Sequence, residues 1–444
     1  MIFVIICLLL TILWIVLGTS WIKIHPFFVL FTAALFLGIL LGLPLMESLT
    51  LLQRGFGQII EKIGLLILFG TVIGVSMERS GATLAIAQGI LHSLSKLPLP
   101  YALSCIGYLV SIPVFCDAAF VILSHLNKTL SQQTKIPLIG LTVALSTGLF
   151  APHVLVPPTP GPLAAAANLE LENLILLIVF GAVTALLLVL VGGTYGYFLT
   201  KRMPYTELEN TKEIDGKEMK ELPSFFKAIL PILVPIILMC FGTIVKLGTA
   251  SSSTLIEIFY FITSPTMALG IGMLFAFSQS KKSNTLLINQ TLKKGIEQAA
   301  PILIITGMGG ALGSIIQTIP LEDYALSLTA FEGLGILIPF LIAALLKTAQ
   351  GSSTVAIITT SSIIFPLLSL LGLDSEMGKV WAILALGVGS MTVSHANDSY
   401  FWIVTQMGGL DVKSAFRSHT VGTLLQGLVG LGIVWLGFEM WQFL

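Results

Sequence analysis

Long apolar runs alternate with short polar segments along almost the whole chain. Runs of about 17 to 25 apolar residues can cross a hydrocarbon core of roughly 30 Å as α-helices. In the first half, such runs lie near residues 2–18, 26–43, 63–77, 101–123, 136–155 and 171–199. In the second half, they lie near residues 228–247, 257–277, 299–316, 333–371 (long and broken), 380–394 and 420–438. The strict alternation of a transmembrane β-barrel is absent, so the pattern predicts an all-α, polytopic transmembrane helical bundle.

A polar segment divides the two sets of runs. Residues 201–227 hold twelve of the forty-four charged side chains, six of each sign, and predict a solvated linker. We therefore expect a first transmembrane repeat at residues 1–200 and a second at residues 228–444. The first apolar run has no basic residues before it and is too long for the core of a signal peptide, so we expect it to remain as a span.

The two halves look like duplicates. A shift of 239 positions superposes five pairs of residues: Pro26 and Pro265, Arg54 and Lys293, Gly70 and Gly309, Gly74 and Gly313, and Gly148 and Gly387. Residues 44–62 carry two basic and two acidic side chains, whereas the equivalent residues 278–298 carry four lysines and one glutamate. Because basic loops stay in the cytoplasm, this asymmetry predicts inverted repeats and a cytoplasmic linker. Inverted repeats with discontinuous helices are typical of secondary transporters.

Two short segments are ambiguous at this level. Residues 81–97 and 320–332 can span the membrane, re-enter it or lie along its interface.

Composition narrows the function classes. The chain is 55% hydrophobic and only 10% charged, with a mean hydropathy of +0.98 and no formal net charge. A nucleic-acid footprint is therefore not supported. The cysteines lie in apolar runs without paired spacing and are interpreted as core residues rather than a disulfide or metal set: Cys7, Cys105, Cys116 and Cys240. We expect no cofactor and no metal.

Ionisable residues inside apolar runs are informative, because each costs about 2.5 to 3.5 kcal/mol at the centre of the bilayer on insertion scales. In the string SIPVFCDAAF, Asp117 lies four residues after the helix-breaking Pro113. The proline frees a backbone carbonyl for a cation or substrate, and the carboxylate can accept a proton. The alternative is a carboxylate neutralised by Lys128 or His125.

A proline-rich stretch, APHVLVPPTPGP, follows an apolar helix at residues 151–162. A regular helix through Pro157, Pro158 and Pro160 is excluded, so we expect an extended segment that is buried in protein or lines a cavity. His153 is a candidate proton carrier, because histidine titrates near neutral pH. The alternative is a tight turn outside the membrane with a neutral histidine.

Two further motifs combine glycine with apolar sequence. The string GMGGALG at residues 307–313 includes Gly309 and Gly310 and lacks the Lys-Ser or Lys-Thr of a phosphate-binding loop. Its glycines allow a helix or a ligand to approach the backbone, with packing alone as the alternative. The string LLKTAQGSSTVAIITT at residues 345–360 predicts a broken helix whose amides, hydroxyls and Lys347 bind an anion. Alternatively, Lys347 extends to an interface and the hydroxyls bond to their own helix.

A polar cluster interrupts the last part of the chain. The string SHANDSYFW at residues 394–402 contains His395, Asn397 and Asp398, which suit proton handling or cation coordination. An exposed loop is the alternative, and a metal site is less favoured because no second ligand cluster accompanies it. Single polar residues near predicted helix ends are interpreted as interfacial: His92, Glu257 and His419.

Together, these motifs resemble the gluconate permease (GntP) family of bacterial secondary transporters. The similarity covers nearly the whole chain in family order, and it includes residues 61–87, EKIGLLILFGTVIGVSMERSGATLAIA. The resemblance implies symport of a gluconate-like sugar acid or related hydroxy acid with protons, through the bacterial inner membrane.

Three positions depart from many gluconate-type members of that family. Asp117 replaces a glutamate, Thr159 a second histidine and Lys347 an arginine. Arginine binds a carboxylate through two parallel hydrogen bonds, whereas lysine acts as a point charge. The substrate is therefore open among gluconate, glycerate, hydroxybutyrate-like acids and D-serine.

The leading hypothesis is a proton-coupled symporter for a small organic anion. The candidate substrate-binding residues are Lys347, Gln350, Gly351, Ser352, Ser353, Thr354, Gly309, Gly310, Pro158 and Pro160. The candidate ion-coupling residues are Asp117, His153, His395, Asn397 and Asp398. Sodium coupling is the alternative within transport, and a homodimer is left open. An enzyme is disfavoured because GxSxG and HExxH strings are absent, and a channel because no filter motif is present.

Overall fold

The computed structural model describes residues 2–205, 222–248, 254–279, 285–319, 335–396 and 398–442, and the regular elements of these residues are helices. The first half contains α1 (Ile2–Val16), α2 (Pro26–Leu40), α3 (Leu45–Ser80), α4 (Ala82–Ser93), α5 (Leu99–Ser111), α6 (Cys116–Thr134), α7 (Leu138–Leu155), α8 (Pro160–Asn168) and α9 (Leu174–Arg202). The second half contains α10 (Phe225–Gly248), α11 (Thr254–Thr263), α12 (Pro265–Ser278), α13 (Thr285–Ile316), α14 (Leu337–Gln350), α15 (Ser353–Ile364), α16 (Glu376–Met391), α17 (Ser399–Met407) and α18 (Val412–Gln442).

Several helices are long and apolar enough to cross a membrane. Among the described residues there are six: Leu45–Ser80, Leu138–Asn168, Leu174–Arg202, Phe225–Gly242, Thr285–Ile316 and Val412–Gln442. The pair α11 and α12, bent by 62°, makes a seventh if it forms one span. The predicted all-α polytopic bundle is confirmed. Helix α4 has 12 residues, or about 18 Å, and is too short to cross the hydrocarbon core.

Helix α7 forms the centre of the bundle. Every one of its residues except Ile139 is buried, as expected for a helix whose apolar residues are distributed around its whole circumference. It packs against α5 and α9, and close approach to α5 requires glycine at Gly148, where an added methyl group would lie 2.7 Å from the Cα of Ser104. The helix therefore carries its polar side chains into the interior of the protein.

The helices of the second half repeat the order of the first. In both halves a long helix, α3 or α13, is followed by two interrupted helices and a final long helix, α9 or α18. Shifted by 239 positions, the interruption at residues 112–115 coincides with residues 351–354, and the interruption at residues 156–159 with residues 395–398. The superposition seen in the sequence therefore extends to the helix breaks.

Equivalent helices of the two halves run antiparallel. In the pair α3 and α13, Thr71 Oγ1 donates to Gly295 O at 3.1 Å, whereas Gly55 lies against Gly310 at the other end. In the pair α9 and α18, Tyr195 Oη donates to Arg417 O and Gln426 Nε2 to Leu188 O. Antiparallel pairing of equivalent helices is the arrangement of an inverted repeat.

Some details differ from the expectations. The apolar run predicted at residues 101–123 is interrupted at residues 112–115. In the proline-rich stretch, only residues 156–159 are non-helical, because Pro152 lies inside α7 and Pro160 begins α8. Proline is tolerated in the first turn of a helix, where its missing N–H is not needed. Residues 320–332 and most of the linker lie outside the described residues. The repeat boundaries and the cytoplasmic side of the linker stay predictions.

We expect Gly148→Ala to destabilise the protein by about 1 to 3 kcal/mol, because the methyl group forces α5 away from α7. The matched control is Gly57→Ala, at an exposed site in α3 where an added methyl group meets nothing within 4 Å. Thermal unfolding in detergent measures both effects. Equal melting temperatures for the two variants would contradict the close packing of α5 on α7.

Candidate functional site

Four helix interruptions provide the polar groups of the candidate site. They are residues 112–115 between α5 and α6, 156–159 between α7 and α8, 351–352 between α14 and α15, and 392–398 between α16 and α17. Pro113, Pro157 and Pro158 break the first two, and Gly351 ends α14 with φ +83°, a conformation that glycine adopts without strain. Each break frees backbone amides and carbonyls for other partners.

Lys347 lies in the last turn of α14 and is buried. Its Nζ is 2.6 Å from Asp398 Oδ2 and donates to Gly351 O at 3.1 Å. The side chains of Lys347 and Asp398 are 1% and 3% exposed. An ammonium at a helix C-terminus is stabilised by the free carbonyls and the helix dipole. Lys347 therefore does not extend to an interface, which was the alternative interpretation of its sequence.

Asp398 receives hydrogen bonds from three sides. It caps the N-terminus of α17 by accepting from Tyr400 N at 3.1 Å, and its Oδ2 also accepts from Ser394 Oγ. With Lys347, these groups satisfy the carboxylate as an anion. The buried carboxylate needs these partners, because breaking a buried ion pair by removing one partner typically costs about 3 to 5 kcal/mol.

Aromatic rings enclose the ion pair. The Phe150 ring lies 5.5 Å from Lys347 Nζ, and Tyr400 packs against both Phe120 and Phe150. The Tyr400 hydroxyl donates to Ser146 O at 2.8 Å. The rings exclude water, so the charges interact through a medium of low polarity, in which both attraction and the loss of a partner are stronger than in water.

Asp117 adds a second carboxylate to the same cluster. It lies half-buried in the first turn of α6 and interacts electrostatically with Asp398 and Lys347. Among the described residues, its hydrogen-bond contact comes from Cys116 Sγ at 3.9 Å. Neither Lys128 nor His125 is within ion-pair distance of it among the described pairs. One ammonium thus faces two carboxylates, of which only Asp398 pairs with it directly, and ionisation of both leaves the cluster with an unbalanced negative charge.

His153 faces the first pair of interruptions. The side chain is 7% exposed, its ring centre is 6.0 Å from that of Phe115, and Nδ1 has no hydrogen-bond partner among the described residues. It borders a cavity of about 10 Å³, which has room for roughly one water molecule, and whose other lining residues include Pro113, Pro158, Thr159 and Pro160. The structure therefore brings the predicted prolines and His153 together.

The remaining predicted residues take different positions. Ser352 caps α15 by accepting from Val355 N at 3.3 Å, and Ser353 and Thr354 follow it in the first turn. His395 is half-buried, and its carbonyl oxygen accepts from Asp398 N at 2.8 Å. Asn397 and the side chain of Gln350 lie outside the described residues. No group of three metal-ligating side chains is found in the described part of the chain.

Gly309 and Gly310 line a second cavity and do not lie beside Lys347. This cavity, of about 30 Å³, also borders Asn168, whose side chain is 6% exposed. Asn168 Nδ2 donates to Ser361 Oγ and Ser362 Oγ at 2.8 and 3.0 Å. Asn168 was not among the residues predicted from the sequence. A role of the two glycines in substrate binding stays a prediction.

The interpretation of His419 as interfacial is wrong. The side chain is 0% exposed, and its ring nitrogens lie within hydrogen-bond distance of Ser146 Oγ and Ser394 Oγ. A signal was present in the sequence: His419, Thr423 and Gln426 recur at helical spacing and form a polar stripe, which is fully buried, on the otherwise apolar α18.

The chain is similar to known proteins over nearly its whole length. The family described as GntP family permease matches residues 3–440. The chain belongs to the GntP permease family. It is therefore a membrane transporter of the permease class and not an enzyme, and the resemblance seen in the motifs is confirmed.

Relatives of this GntP permease match over nearly the whole length. An uncharacterised permease of Haemophilus influenzae is 33% identical over 434 residues, covering 93% of this chain and 88% of the relative. A gluconate permease of Pseudomonas aeruginosa is 30% identical over 424 residues, covering 93% of each chain. A D-serine transporter of Escherichia coli is 30% identical over 438 residues, covering 97% of each.

Two solved transporters share the fold. The YdaH transporter of Alcanivorax borkumensis superposes with a TM-score of 0.62 at 16% identity, covering 88% of this chain and 89% of that one. MtrF of Neisseria gonorrhoeae gives a TM-score of 0.61 at 18% identity, covering 87% and 83%. At this identity the likeness concerns the fold alone.

We expect Lys347→Met to destabilise this permease by about 3 to 5 kcal/mol, because it leaves Asp398 buried without a counter-charge. Adding Asp398→Asn should recover much of the loss, since asparagine is neutral and still caps α17. The control is Lys62→Met, which removes an exposed ion pair with Glu170 and should cost about 0 to 1 kcal/mol. Thermal unfolding in detergent compares the variants. A double variant less stable than Lys347→Met would contradict the pairing.

Proposed function

We propose that this GntP permease imports a small hydroxy carboxylate together with protons. The observation that carries this function is the buried pair of Lys347 and Asp398, at 2.6 Å. A lysine kept charged inside the bundle is a binding site for an anion, and its present counter-ion is a group that a proton can neutralise. Similar proteins are named gluconate permease and D-serine transporter, and the substrates in both names carry a carboxylate and a hydroxyl.

Coupling follows from competition for Lys347. A substrate carboxylate that binds the ammonium displaces Asp398, which would then be a buried carboxylate without a counter-charge. Such a group is unfavourable by several kcal/mol unless it is protonated. Protonation of Asp398 and binding of the substrate anion therefore favour each other. The substrate and the proton enter the site as a neutral pair.

The interrupted helices supply further contacts for an anion. The N-terminus of α15 begins at Ser353, directly after the break that provides Gly351 O to Lys347. Free amides at a half-helix N-terminus attract a carboxylate, and the hydroxyls of Ser352 and Thr354 suit a substrate hydroxyl. Because lysine acts as a point charge, it demands less of the carboxylate's orientation than arginine does. This favours small acids that bind in more than one pose.

Asp117 is the second carboxylate that can carry a proton. A monovalent anion entering a negative cell is opposed by about 2.3 kcal/mol per 100 mV. One proton per anion cancels this charge, so accumulation requires a second proton or a pH gradient. Asp117 interacts electrostatically with the ion pair, so a proton bound there would remove a negative charge from the same cluster.

We expect purified permease in proteoliposomes to accumulate a labelled hydroxy acid when the external medium is made acidic. The panel should include gluconate, glycerate, 3-hydroxybutyrate and D-serine, with pH and sodium gradients imposed separately. Uptake should follow the pH gradient and persist when choline replaces sodium at fixed pH. Accumulation driven by sodium alone would overturn proton coupling, and no uptake of any carboxylate would overturn the substrate class.

We expect Asp117→Asn to abolish accumulation in the same vesicles while labelled substrate still exchanges for unlabelled substrate. Exchange needs no net proton movement, whereas accumulation does. Asp374→Asn, at an exposed residue between α15 and α16, is the matched control and should accumulate as the unmodified permease does. Active uptake by Asp117→Asn at the control rate would remove this residue from the coupling mechanism.

A further inference from the structure

His419 has no part in the mechanism described above, yet its ring contacts Ser394 in the break that contains Asp398. It lies in a π turn, Phe416–Thr420, of the otherwise α-helical α18. Single π turns inside α-helices occur frequently at functional sites, since the extra residue reorients one side chain. Here the reoriented ring points between α7 and the break that precedes α17.

The ring connects two hydroxyls. His419 Nδ1 is 3.1 Å from Ser146 Oγ, and Nε2 is 3.3 Å from Ser394 Oγ. Ser394 Oγ in turn donates to Asp398 Oδ2, the atom that pairs with Lys347. An uninterrupted hydrogen-bonded chain therefore runs from His419 through Ser394 to the carboxylate.

Charged and aromatic groups surround the ring of His419. Asp398 and Lys347 reach it electrostatically, and the rings of Tyr400 and Phe401 lie 5.6 and 6.4 Å from it. The charged residues of its own helix, Lys413, Arg417 and Glu439, and the residue that caps it, Asp411, lie on exposed or half-buried positions. On α9, Tyr195 bonds to the backbone of α18 at Arg417 O. The charged groups that interact electrostatically with His419 are thus those of Lys347 and Asp398.

The hydroxyls accommodate either protonation state of the ring. Because Ser394 donates its proton to Asp398, its oxygen accepts from His419 Nε2–H. Ser146 has one proton and two acceptors at 3.1 Å, His419 Nδ1 and Val143 O. Donation to Nδ1 suits a neutral ring, and donation to Val143 O leaves Ser146 Oγ free to accept from the Nδ1–H of an imidazolium. Neither state leaves a buried ring nitrogen without a partner.

We propose that His419 is a proton-binding site of the transport cycle, which holds the coupled proton while Asp398 pairs with Lys347 and passes it to Asp398 through Ser394. This role rests on the proton-coupled transport proposed above. In the transfer, the Nε2–H proton moves to Ser394 Oγ as the original Ser394 proton moves to Asp398 Oδ2. Imidazolium and carboxylate become neutral imidazole and carboxylic acid, so protons and charge balance without another reactant.

The products of this transfer are also fully bonded. Neutral His419 keeps its proton on Nδ1 and donates to Ser146 Oγ, while Nε2 accepts from Ser394. Asp398 then donates its new proton to Ser394 Oγ. Neutral Asp398 is no longer the counter-ion of Lys347. The ammonium is then available to bind a substrate carboxylate. The proton does not have to arrive from water in the same step.

The test compares His419→Gln with His92→Gln in proteoliposomes, with D-serine or the acid that the panel selects. Glutamine forms hydrogen bonds but does not titrate near neutral pH, and His92 is exposed on α4. We expect His419→Gln to exchange labelled substrate but to lose accumulation above the external concentration. Substrate-driven alkalinisation of the external medium should disappear in this variant, whereas His92→Gln should match the unmodified permease in both readouts.

The outcomes separate the two proposals. If the unmodified permease accumulates substrate under a sodium gradient alone, with neither a pH gradient nor a membrane potential, proton coupling itself fails. If it is proton-driven and His419→Gln accumulates with the same proton-to-substrate ratio, only the role of His419 is overturned. Should His419→Gln neither exchange nor accumulate, Ser394→Ala decides, because it keeps both titratable groups but breaks the chain. Exchange without accumulation in Ser394→Ala supports the relay, and normal accumulation rejects it.

Discussion

The structure depends on the partners that stabilise one buried ion pair, Lys347 and Asp398. Removing a charge from water costs several kcal/mol per ion, and mutual attraction offsets this only when the remaining hydrogen-bonding capacity is satisfied. For Lys347 this partner is Gly351 O, and for Asp398 the partners are Ser394 Oγ and Tyr400 N. Intact helices use their own amides and carbonyls, so the backbone groups among these partners, Gly351 O and Tyr400 N, are available because the helices are interrupted. The pair and the broken helices therefore require each other.

The duplicated architecture carries different chemistry in its two halves. Shifted by 239 positions, Lys347 coincides with Tyr108 and Asp398 with Thr159, whereas Asp117 coincides with an alanine. The second half thus supplies the cation and its counter-ion, and the first half supplies an additional carboxylate. Because equivalent helices are antiparallel, the corresponding breaks approach one another from opposite directions. Inversion of the repeat is what allows groups from both halves to share one electrostatic site.

Local properties of the chain were enough to predict the bundle and several of its functional candidates. Apolar length indicated the helices, and the cost of burying charge singled out Asp117, Lys347 and Asp398. The pairing of Lys347 with Asp398 was not predicted, because it joins residues 51 positions apart and depends on helix packing. His419 was misjudged because it directly precedes the predicted apolar run at residues 420–438, and hydropathy does not reveal a π turn.

The repeats also differ in how their interruptions meet the long helices. In the first half, Gly70 lies against Pro158 O and Gly74 against Pro113 O, so both breaks rest on α3. The equivalent Gly313 of α13 has open space where a Cβ would stand, and it borders the second cavity. In inverted-repeat transporters, access alternates as one repeat moves against the other around the site. The contacts that such a movement would change are therefore not the same in the two halves.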